Sequence, residues 1–446
     1  MVELEKNKNI SVHMDTLEQH PHCSHGPTIL FSRGLDGKKF YSCAAYRDKK
    51  KCSFFLWENQ SGEKYVQQFE RDPIISKMIR FKLQSRLKFV KSLNQENRIY
   101  CHKCNELLPK SEKHLHLEHE DFLQENIDDF KLSRPSQLLR PFQESKRESQ
   151  YFFTDSTINA FLNMFKSLNI KYVVCIGAPT IHEQIVCKVP VLKSILLDID
   201  HRYLQFYQCN DFRWFNLFNC YILEECDTKE ILVDLLSKED SMAVLIDPPF
   251  GGRLEPIAYT MKKFDDIRLK HNKNFLTKFL ILPYFMERYV KSCLPEMSML
   301  DYKVDYSNHK KFNDTGRNKG SPIRLFTNAN QSKIPLPSDE NYHFCEECNR
   351  WVSGENNHCY QCGGCMSKNG RKYIHCNLCK KCVKCTWKHC KKCKKCCLPD
   401  HRCINDQIKT SSKNKRQGQN KKYKSSINLK STMIKKNIYN EEIKRF

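Results

Sequence analysis

The sequence has 446 residues, of which 40% are hydrophobic and 28% charged, and its mean hydropathy is −0.65. This length accommodates one large core and several smaller modules, and the absence of an apolar run of 18 or more residues argues against a membrane span or a membrane partner. Lys and Arg outnumber Asp and Glu by 75 to 51, a formal net charge of +24, so we expect a polyanionic partner such as nucleic acid.

The 25 cysteines are unevenly distributed along the chain. The first 15 residues lack the apolar stretch of a secretory signal peptide, so we expect a reducing location, where cysteine clusters bind metals. Fourteen cysteines lie between Cys345 and Cys403, and five form two groups near the N-terminus. The other six are scattered through an apolar middle region and are interpreted as ordinary core thiols.

Residues 1–20 are predicted to be disordered, and residues 21–60 contain the first metal motif. Four thiol or imidazole ligands suffice for a closed tetrahedral zinc site, and the aromatic residues around them offer a small core or stacking faces for bases. The pattern C-x-H-G, F-x-S-C and C-x-F-F-x-W resembles a GRF-type zinc finger, a module associated with single-stranded nucleic acid. The predicted ligands are Cys23, His25, Cys43 and Cys52.

Residues 61–98 are predicted to form a basic helical connector. Apolar residues recur there at helical spacing, with Lys and Arg between them, in DPIISKMIRFKLQSRLKFVKSL. We interpret this segment as a helix packed on a core with a solvated outer face, and RNA contact is the alternative.

A second metal motif occupies residues 99–120, and residues 121–148 are predicted to be a linker. The C-x2-C pair is followed by three histidines, which makes the motif similar to a small C2H2 finger. His114 with His119 has the H-x4-H spacing, whereas His116 with His119 would be tighter, and we prefer the first pair. The predicted ligands are Cys101, Cys104, His114 and His119.

Residues 149–335 are predicted to form an α/β domain, because buried strands alternate with helical patterns. The last two strands have no helix between them and should form an antiparallel hairpin at the sheet edge. The other strands should form a mainly parallel sheet with helices on both faces. The predicted strands are residues 172–177, 194–200, 218–224, 243–247, 279–285, 299–306 and 321–328.

Small or acidic residues follow three of these strands, at the edge where a doubly wound sheet binds its ligands. Ile176-Gly177-Ala178-Pro179 after the first strand allows a ligand close to the backbone. Asp198 and Asp200 end the second strand about 20 residues later, which is the spacing of a nucleotide site whose acid accepts ribose hydroxyls. Asp247-Pro248-Pro249-Phe250 follows the fourth strand.

Together these features resemble a class I S-adenosylmethionine-dependent methyltransferase. The DPPF sequence matches the (D/N/S)-P-P-(Y/F/W) signature of amino-group methyltransferases. The resemblance implies a Rossmann-like sheet with small zinc-stapled modules on both sides, and S-adenosylmethionine as the cofactor. The implied catalytic residues are Asp247, Pro248, Pro249 and Phe250. The implied donor-site residues are Tyr151, Phe152, Ile176, Gly177, Ala178, Pro179, Asp198 and Asp200.

The DPPF residues suit the chemistry of an exocyclic adenine amine, whose lone pair is delocalised into the ring. The Asp247 carboxylate and a backbone carbonyl of the Pro-Pro turn can accept its N–H groups and so increase electron density on nitrogen. The prolines lack N–H donors and stiffen the turn, and Phe250 can stack on a base that is single-stranded or flipped out. In-line placement of the methyl donor then supplies much of the rate, without a separate strong base.

Residues 343–403 form a cysteine-rich region with 13 Lys or Arg against 4 acids, followed by a basic tail at 404–446 that is predicted to be disordered. Its Cys and His content suffices for about three zinc ions at four ligands each. The first part resembles the zinc-binding part of a DHHC-type domain, and the last group resembles a zinc knuckle. The region is interpreted as an RNA platform, with zinc used only for folding as the alternative. The predicted ligands are Cys345, Cys348, His358, Cys359, Cys362, Cys365, His375, Cys376, Cys379 and Cys382, then Cys393, Cys396, His401 and Cys403.

The order of these modules resembles the zinc-knuckle-containing rRNA adenine-N6 methyltransferases across nearly the whole chain. That resemblance implies N6-methylation of an adenosine in large-subunit rRNA, and residence in nucleolus and cytoplasm. RNA-remodelling or ribosome-assembly proteins are further candidate partners. The alternatives are methylation of DNA adenine, of another RNA or of a protein amide, and a non-catalytic RNA-binding adaptor, against which the intact Asp247 argues.

Overall fold

A computed structural model of the chain describes residues 10–60, 76–141, 150–309 and 321–403, apart from single positions within them. The chain divides into two compact units, Met1–Asn330 and Gln331–Phe446. The predictions for residues 1–9, 61–75, 142–149 and 404–446 lie outside the described residues. The single positions left out are Leu35, Arg47, Asp48, Lys50, Asp240, Asn272 and Arg402.

The first unit is built on an eight-stranded sheet. Its strands are β1 (Tyr172–Ile176), β2 (Lys193–Asp198), β3 (Phe212–Asn216), β4 (Tyr221–Ile222), β5 (Met242–Ile246), β6 (Thr277–Pro283), β7 (Ser298–Lys303) and β8 (Ile323–Thr327). Their order across the sheet is β4-β3-β2-β1-β5-β6-β8-β7. Strands β3, β2, β1, β5 and β6 are parallel, whereas β4 and the β7–β8 pair are antiparallel additions at the two edges. The predicted α/β fold class and the edge hairpin are therefore confirmed.

Successive side chains of each strand point to opposite faces of the sheet. Because these side chains are apolar on both faces, helices cover both. Leu280 of β6 belongs to the apolar cluster of one face, while the Phe279 ring next to it meets Phe165 from a helix on the opposite face. The strands are buried on both sides, as their continuous apolar sequences predict. The helices are α1 (Asp155–Ser167), α2 (Pro179–Lys188), α3 (Thr228–Leu236), α4 (Leu254–Lys270) and α5 (Glu287–Cys293).

The predicted strand at residues 218–224 is wrong. The strand that follows β2 is β3, and only Tyr221–Ile222 of the predicted segment pairs, antiparallel, with β3. Cys220 has a positive φ of 54°, so the chain turns back there and residues 217–220 form the connection.

The N-terminal module is a four-stranded antiparallel sheet of Ile10–His13, Ile29–Arg33, Lys39–Ser42 and Phe55–Trp57. The prediction that residues 1–20 are disordered is wrong for residues 10–20. Ile10–His13 pairs in register with Ile29–Arg33, because Val12 and its neighbours pack into a small apolar cluster. A tight hairpin of His22–Cys23 and Gly26–Pro27 lies between these strands in the chain.

The connector contains a helix at Lys77–Ser92, followed by a three-stranded sheet that carries the second metal motif. The predicted linker at 121–148 also has structure over its described part, residues 121–141, where Ile127 and Leu132 are fully buried and anchor the chain. The elements are the strands Arg98–Cys101, Glu106–Pro109 and Leu123–Glu125, the 3₁₀ segment Lys110–Phe122, the helix Asp129–Ser133 and the 3₁₀ turn Pro135–Gln137.

The described part of the second unit, up to Cys403, consists mainly of four short antiparallel hairpins in succession. Within the described residues, no helix of either unit combines the length and apolar composition that a membrane crossing needs. The hairpins pair Tyr342–Cys345 with Arg350–Ser353, His358–Cys359 with Gly364–Cys365, Tyr373–Cys376 with Lys381–Lys384, and Lys388–Cys390 with Lys395–Cys397.

Candidate active site and metal centres

Asp247 follows β5 at the point where the strand order reverses between β1 and β5. This is the place where an open α/β sheet has its ligand crevice. The Asp247 N–H donates to the Ile176 carbonyl (3.0 Å), and Gly177 has a φ of +66° directly beside it. A Cβ on Gly177 would lie 2.6 Å from the Asp247 carbonyl oxygen, so only glycine permits this approach of the two loops.

The Tyr306 hydroxyl donates a hydrogen bond to Asp247 Oδ1 (2.9 Å). Burial raises the pKa of Asp247 well above its usual value, and the Tyr306 hydrogen bond opposes this by stabilising the carboxylate. The negative charge of Asp198 adds to the upward shift. Tyr306 therefore fixes one carboxylate oxygen and leaves the other for a substrate.

Aromatic rings surround this carboxylate. Tyr151 and Phe250 are nearly parallel, with centroids 6.3 Å apart, and both rings contact Tyr306 at 5.6 and 6.2 Å. The predicted donor-site residues Tyr151 and Phe152 reach this place because residues 150–154 run beside residues 305–308. The Phe152 carbonyl accepts the Ser307 N–H at 2.8 Å. Tyr151 thus lies beside the residue predicted to stack on the base, a placement that the sequence did not predict.

The two acids after β2 have different environments. Arg202 binds Asp200 through two nitrogens, Nε (2.9 Å) and Nη2 (2.7 Å), and Gln150 donates to the same carboxylate. Asp198 is also buried, and its Oδ1 accepts the backbone N–H of Asp200. Burial, with the charge of Asp200, raises the pKa of Asp198 to about 7. Asp200 is occupied by a buried ion pair, so Asp198 is the carboxylate that suits a ligand.

The ligands predicted for the first metal motif come together. The ligand atoms of Cys23, His25, Cys43 and Cys52 all lie within 4.8 Å of one another. A tetrahedral metal with ordinary bonds to sulfur and nitrogen would separate these atoms by about 3.5 Å, and Cys43 Sγ lies 3.6 Å from His25 Nδ1. The residues present therefore fit a metal ion.

This motif is attached to the edge of the eight-stranded sheet beyond β3. The side-chain amide of Asn219 donates to the His25 and Pro27 carbonyls at 2.9 and 2.8 Å. Gly26 lies against Tyr221, whose ring a Cβ there would approach to 2.5 Å. The metal-binding hairpin is thus an integral part of the first unit.

The second motif requires a correction, because His116 and not His114 joins the cluster with Cys101, Cys104 and His119. His116 Nδ1 lies 3.4 Å from Cys104 Sγ, whereas His114 is exposed and donates to the Ser111 carbonyl. The H-x4-H expectation assumed an α-helix, but Lys110–Phe122 is 3₁₀ and interrupted at the two cluster histidines. Three residues per turn places residues 116 and 119 on the same side.

The cysteine-rich region forms interleaved clusters, in which each of the last three hairpins contributes ligands to two sites. His358 and Cys365 join the cluster of the preceding C-x2-C pair, while Cys359 and Cys362, which lie between them, join the following one. The nearest Sγ–Nδ1 distance is 3.2 Å in each of the first three clusters. The clusters are Cys345, Cys348, His358 and Cys365, then Cys359, Cys362, His375 and Cys382, then Cys376, Cys379, His389 and Cys396.

The last group corrects two predictions. Cys396 belongs to the third cluster, so it is not a ligand of the terminal motif, and Cys390 takes that place. Cys390 Sγ lies 3.6 Å from Cys403 Sγ, and Cys393 Sγ lies 3.4 Å from His401 Nε2. The region therefore has four clusters where about three ions were expected.

Comparison with known proteins agrees with this architecture. A family described as probable N6-adenine methyltransferase matches residues 144–330, and the GRF zinc finger family matches residues 21–61. The chain is 39% identical over 414 residues to the human rRNA N(6)-adenosine-methyltransferase ZCCHC4, which covers 87% of this chain and 80% of the relative. The chain belongs to this rRNA N(6)-adenosine-methyltransferase family. The relatives from Xenopus laevis and Mus musculus are 38% and 40% identical, over 77% and 76% of this chain and 74% and 70% of their own lengths.

The predicted membership of the N(6)-adenosine-methyltransferase family is confirmed, but the sequence analysis missed some residues of the site. Tyr306 lies 59 residues from Asp247, and no motif connects the two. His389 and Cys390 were detectable, because the H-C-x2-C-x2-C motif occurs three times, at 358–365, 375–382 and 389–396. The repeat predicts equal roles for the three histidines.

Proposed function

We propose that this chain transfers a methyl group from S-adenosylmethionine to N6 of an adenosine in large-subunit rRNA. The observation that carries the proposal is the Asp247 carboxylate at the switch point of the sheet, held by Tyr306 and flanked by aromatic rings. The basic charge of +24 and the names of the relatives support an RNA substrate. Nucleolus and cytoplasm, where such rRNA is made and used, are the proposed locations.

The residues around Gly177 fit the methyl donor, which supplies an electrophilic methyl group when bound. The Gly177 turn keeps side chains out of the crevice between β1 and β5. Asp198 at the end of β2 would accept hydrogen bonds from both ribose hydroxyls. Asp200 and Arg202 hold that segment in place through their buried ion pair.

The DPPF loop would bind the adenine amine. The free oxygen of the Asp247 carboxylate accepts one N6–H group, which localises electron density on nitrogen. The Pro249 carbonyl already accepts the Gly252 N–H (2.7 Å), so we assign the second N6–H group to the Pro248 carbonyl. Phe250 and Tyr151 offer π-faces to a base taken out of its stack. These contacts position the amine for in-line transfer.

Zinc is the proposed ion of the clusters, since thiolate and imidazole ligands in tetrahedral sets without acids favour it. The clusters would stabilise modules that have little core of their own. RNA-remodelling or ribosome-assembly proteins are proposed partners that deliver the rRNA.

The deciding experiment is methyl transfer from labelled S-adenosylmethionine into ribosomal RNA that lacks the modification. Wild type should label large-subunit rRNA, and digestion should release N6-methyladenosine. Asp247→Ala should reduce labelling by at least about a thousandfold, because positioning and the carboxylate contact are lost together. Label in another nucleoside, or equal labelling by the variant, would refute the proposal.

A further inference from the structure

The helix Lys77–Ser92 has one side buried against the first unit and one side exposed. On the inner side, Leu87 and Val90 are buried, and buried Arg80 donates to the Tyr207 and Phe212 carbonyls at 3.3 and 3.1 Å. Arg86 pairs with Glu112 of the second metal motif at 2.7 Å. These contacts hold the helix in a defined orientation.

The exposed side has an unusual composition for a solvated helix surface. Met78, Phe81 and Phe89 are 64%, 69% and 52% exposed, and lysines lie between them. At 100° per residue, eight of the ten exposed side chains fall within about 140° of the helix circumference and form one surface, whereas Ile79 and Lys91 lie outside it. We name it the basic aromatic face. Its residues are Lys77, Met78, Phe81, Lys82, Ser85, Lys88, Phe89 and Ser92.

The charge of this face is of one sign. The helix contains no Asp or Glu, and among the described residues Lys77, Lys82 and Lys88 take part in no ion pair. The two basic side chains that do have acidic partners, Arg80 and Arg86, lie on the other side. The positive charge that remains on the face is therefore available to an anionic partner.

We propose that the basic aromatic face is a docking surface for RNA, where the lysines contact phosphates and Phe81 and Phe89 stack on unpaired bases. The proposal rests on the proposed rRNA substrate. The nearest acid in the described structure is Glu225, whose carboxylate accepts the Lys77 backbone N–H (2.9 Å) at the helix start. Isolated exposed aromatics are common, but aromatics between lysines on a helix face without acids of its own fit single-stranded nucleic acid, since every base offers a π-face. Phe81 and Phe89 are about 12 Å apart along the helix axis, the length of three to four stacked nucleotides at about 3.4 Å each.

The test compares three full-length variants with wild type. Lys82→Gln with Lys88→Gln removes charge from the face, and Phe81→Leu with Phe89→Leu removes the rings while keeping apolar, helix-compatible side chains. Lys238→Gln with Lys291→Gln is the matched control, because each lysine has an acid four residues before it as its partner. Binding to an unmodified large-subunit rRNA fragment is measured over a series of KCl concentrations.

The lysine variant should bind RNA about tenfold more weakly, and its slope of log affinity against log salt should fall by about 1.4, at 0.7 per phosphate contact. The phenylalanine variant should lose about fivefold or more at an unchanged slope, because stacking releases no counterions. In the methylation assay, both should raise KM for RNA and leave kcat and donor affinity unchanged. The control should match wild type, and melting temperatures should report any loss of folding.

Wild-type affinity and slope in both face variants would overturn the proposal and would leave the face to a protein partner or to another segment of this chain. Binding is measured without turnover, so the result stands apart from the catalytic proposal. If wild type binds through the face yet methylates no RNA, only the proposed function fails. If methylation proceeds and the variants bind normally, only the docking surface fails.

Discussion

The sheet of the first unit and the cysteine-rich region of the second differ in how much apolar core stabilises them. Strands β1 and β5 are completely buried within a large apolar cluster. Among the described residues from Tyr342 to Cys403, the buried apolar side chains are only Val352, Val383 and three cysteines. A segment with so little core needs another source of stability, which its Cys and His clusters would supply by binding metal ions. The site in the first unit is therefore held by apolar packing, whereas we expect the fold of the second unit to depend on metal.

Removal of metal should produce the largest difference in stability between the two regions. We expect a chelator to abolish hydrogen-exchange protection between Tyr342 and Cys403, because structural zinc contributes about 10–16 kcal/mol per site. Protection in β1 and β5 should persist, since those strands depend on apolar packing. Exchange measured by mass spectrometry on the intact chain, with and without chelator, checks this. Persistent protection in the second unit without metal would show that its hairpins are stable by themselves.

Substitutions in the second metal motif test whether loss of a single ligand releases its metal ion. His116→Ala should release one metal ion per chain and loosen the finger around Cys101 and Cys104, because His116 is a cluster member. His114→Ala is the matched control and should retain full metal content, because that ring contacts only a backbone carbonyl in the described structure. Metal content measured by mass spectrometry gives the answer. The reverse pattern would reinstate the ligand pair expected from the sequence.

Tyr306→Phe tests whether the hydrogen bond from the buried Tyr306 hydroxyl to Asp247 contributes to methyl transfer. Loss of a hydrogen bond to a carboxylate should reduce kcat at pH 7 between about tenfold and a hundredfold, with little change in KM for the donor. Because the hydroxyl stabilises ionised Asp247, its removal should raise the pKa of Asp247 further and shift the acidic limb of the pH–rate profile to higher pH. A lower kcat with an unmoved profile would indicate a structural role only. A melting temperature near that of wild type is the control for folding.

Donor affinity should depend on pH through Asp198. The pKa of this acid is raised to about 7 by burial, and the ionised form is the one that accepts two ribose hydroxyls. The dissociation constant for S-adenosylmethionine should therefore fall about tenfold from pH 6 to pH 8. Calorimetry across this range checks the effect, and Asp198→Asn should bind weakly with no such dependence. A flat wild-type profile would show that Asp198 does not bind the ribose in its ionised form.

Local patterns of the sequence by themselves determined the α/β class, the position of DPPF after a buried strand, and the clustering of Cys and His. Each of these follows from neighbouring residues: strand periodicity, a rigid Pro-Pro turn, or C-x2-C spacing. The tertiary structure alone decided which ligands share an ion, because hairpin register brings His358 and Cys365 back to the preceding pair. It also placed Tyr306 beside Asp247, because the segment after β7 pairs with residues 150–154 through the bridge between Phe153 and Tyr306. Contacts between distant segments depend on the packing of whole elements, which no local spacing encodes.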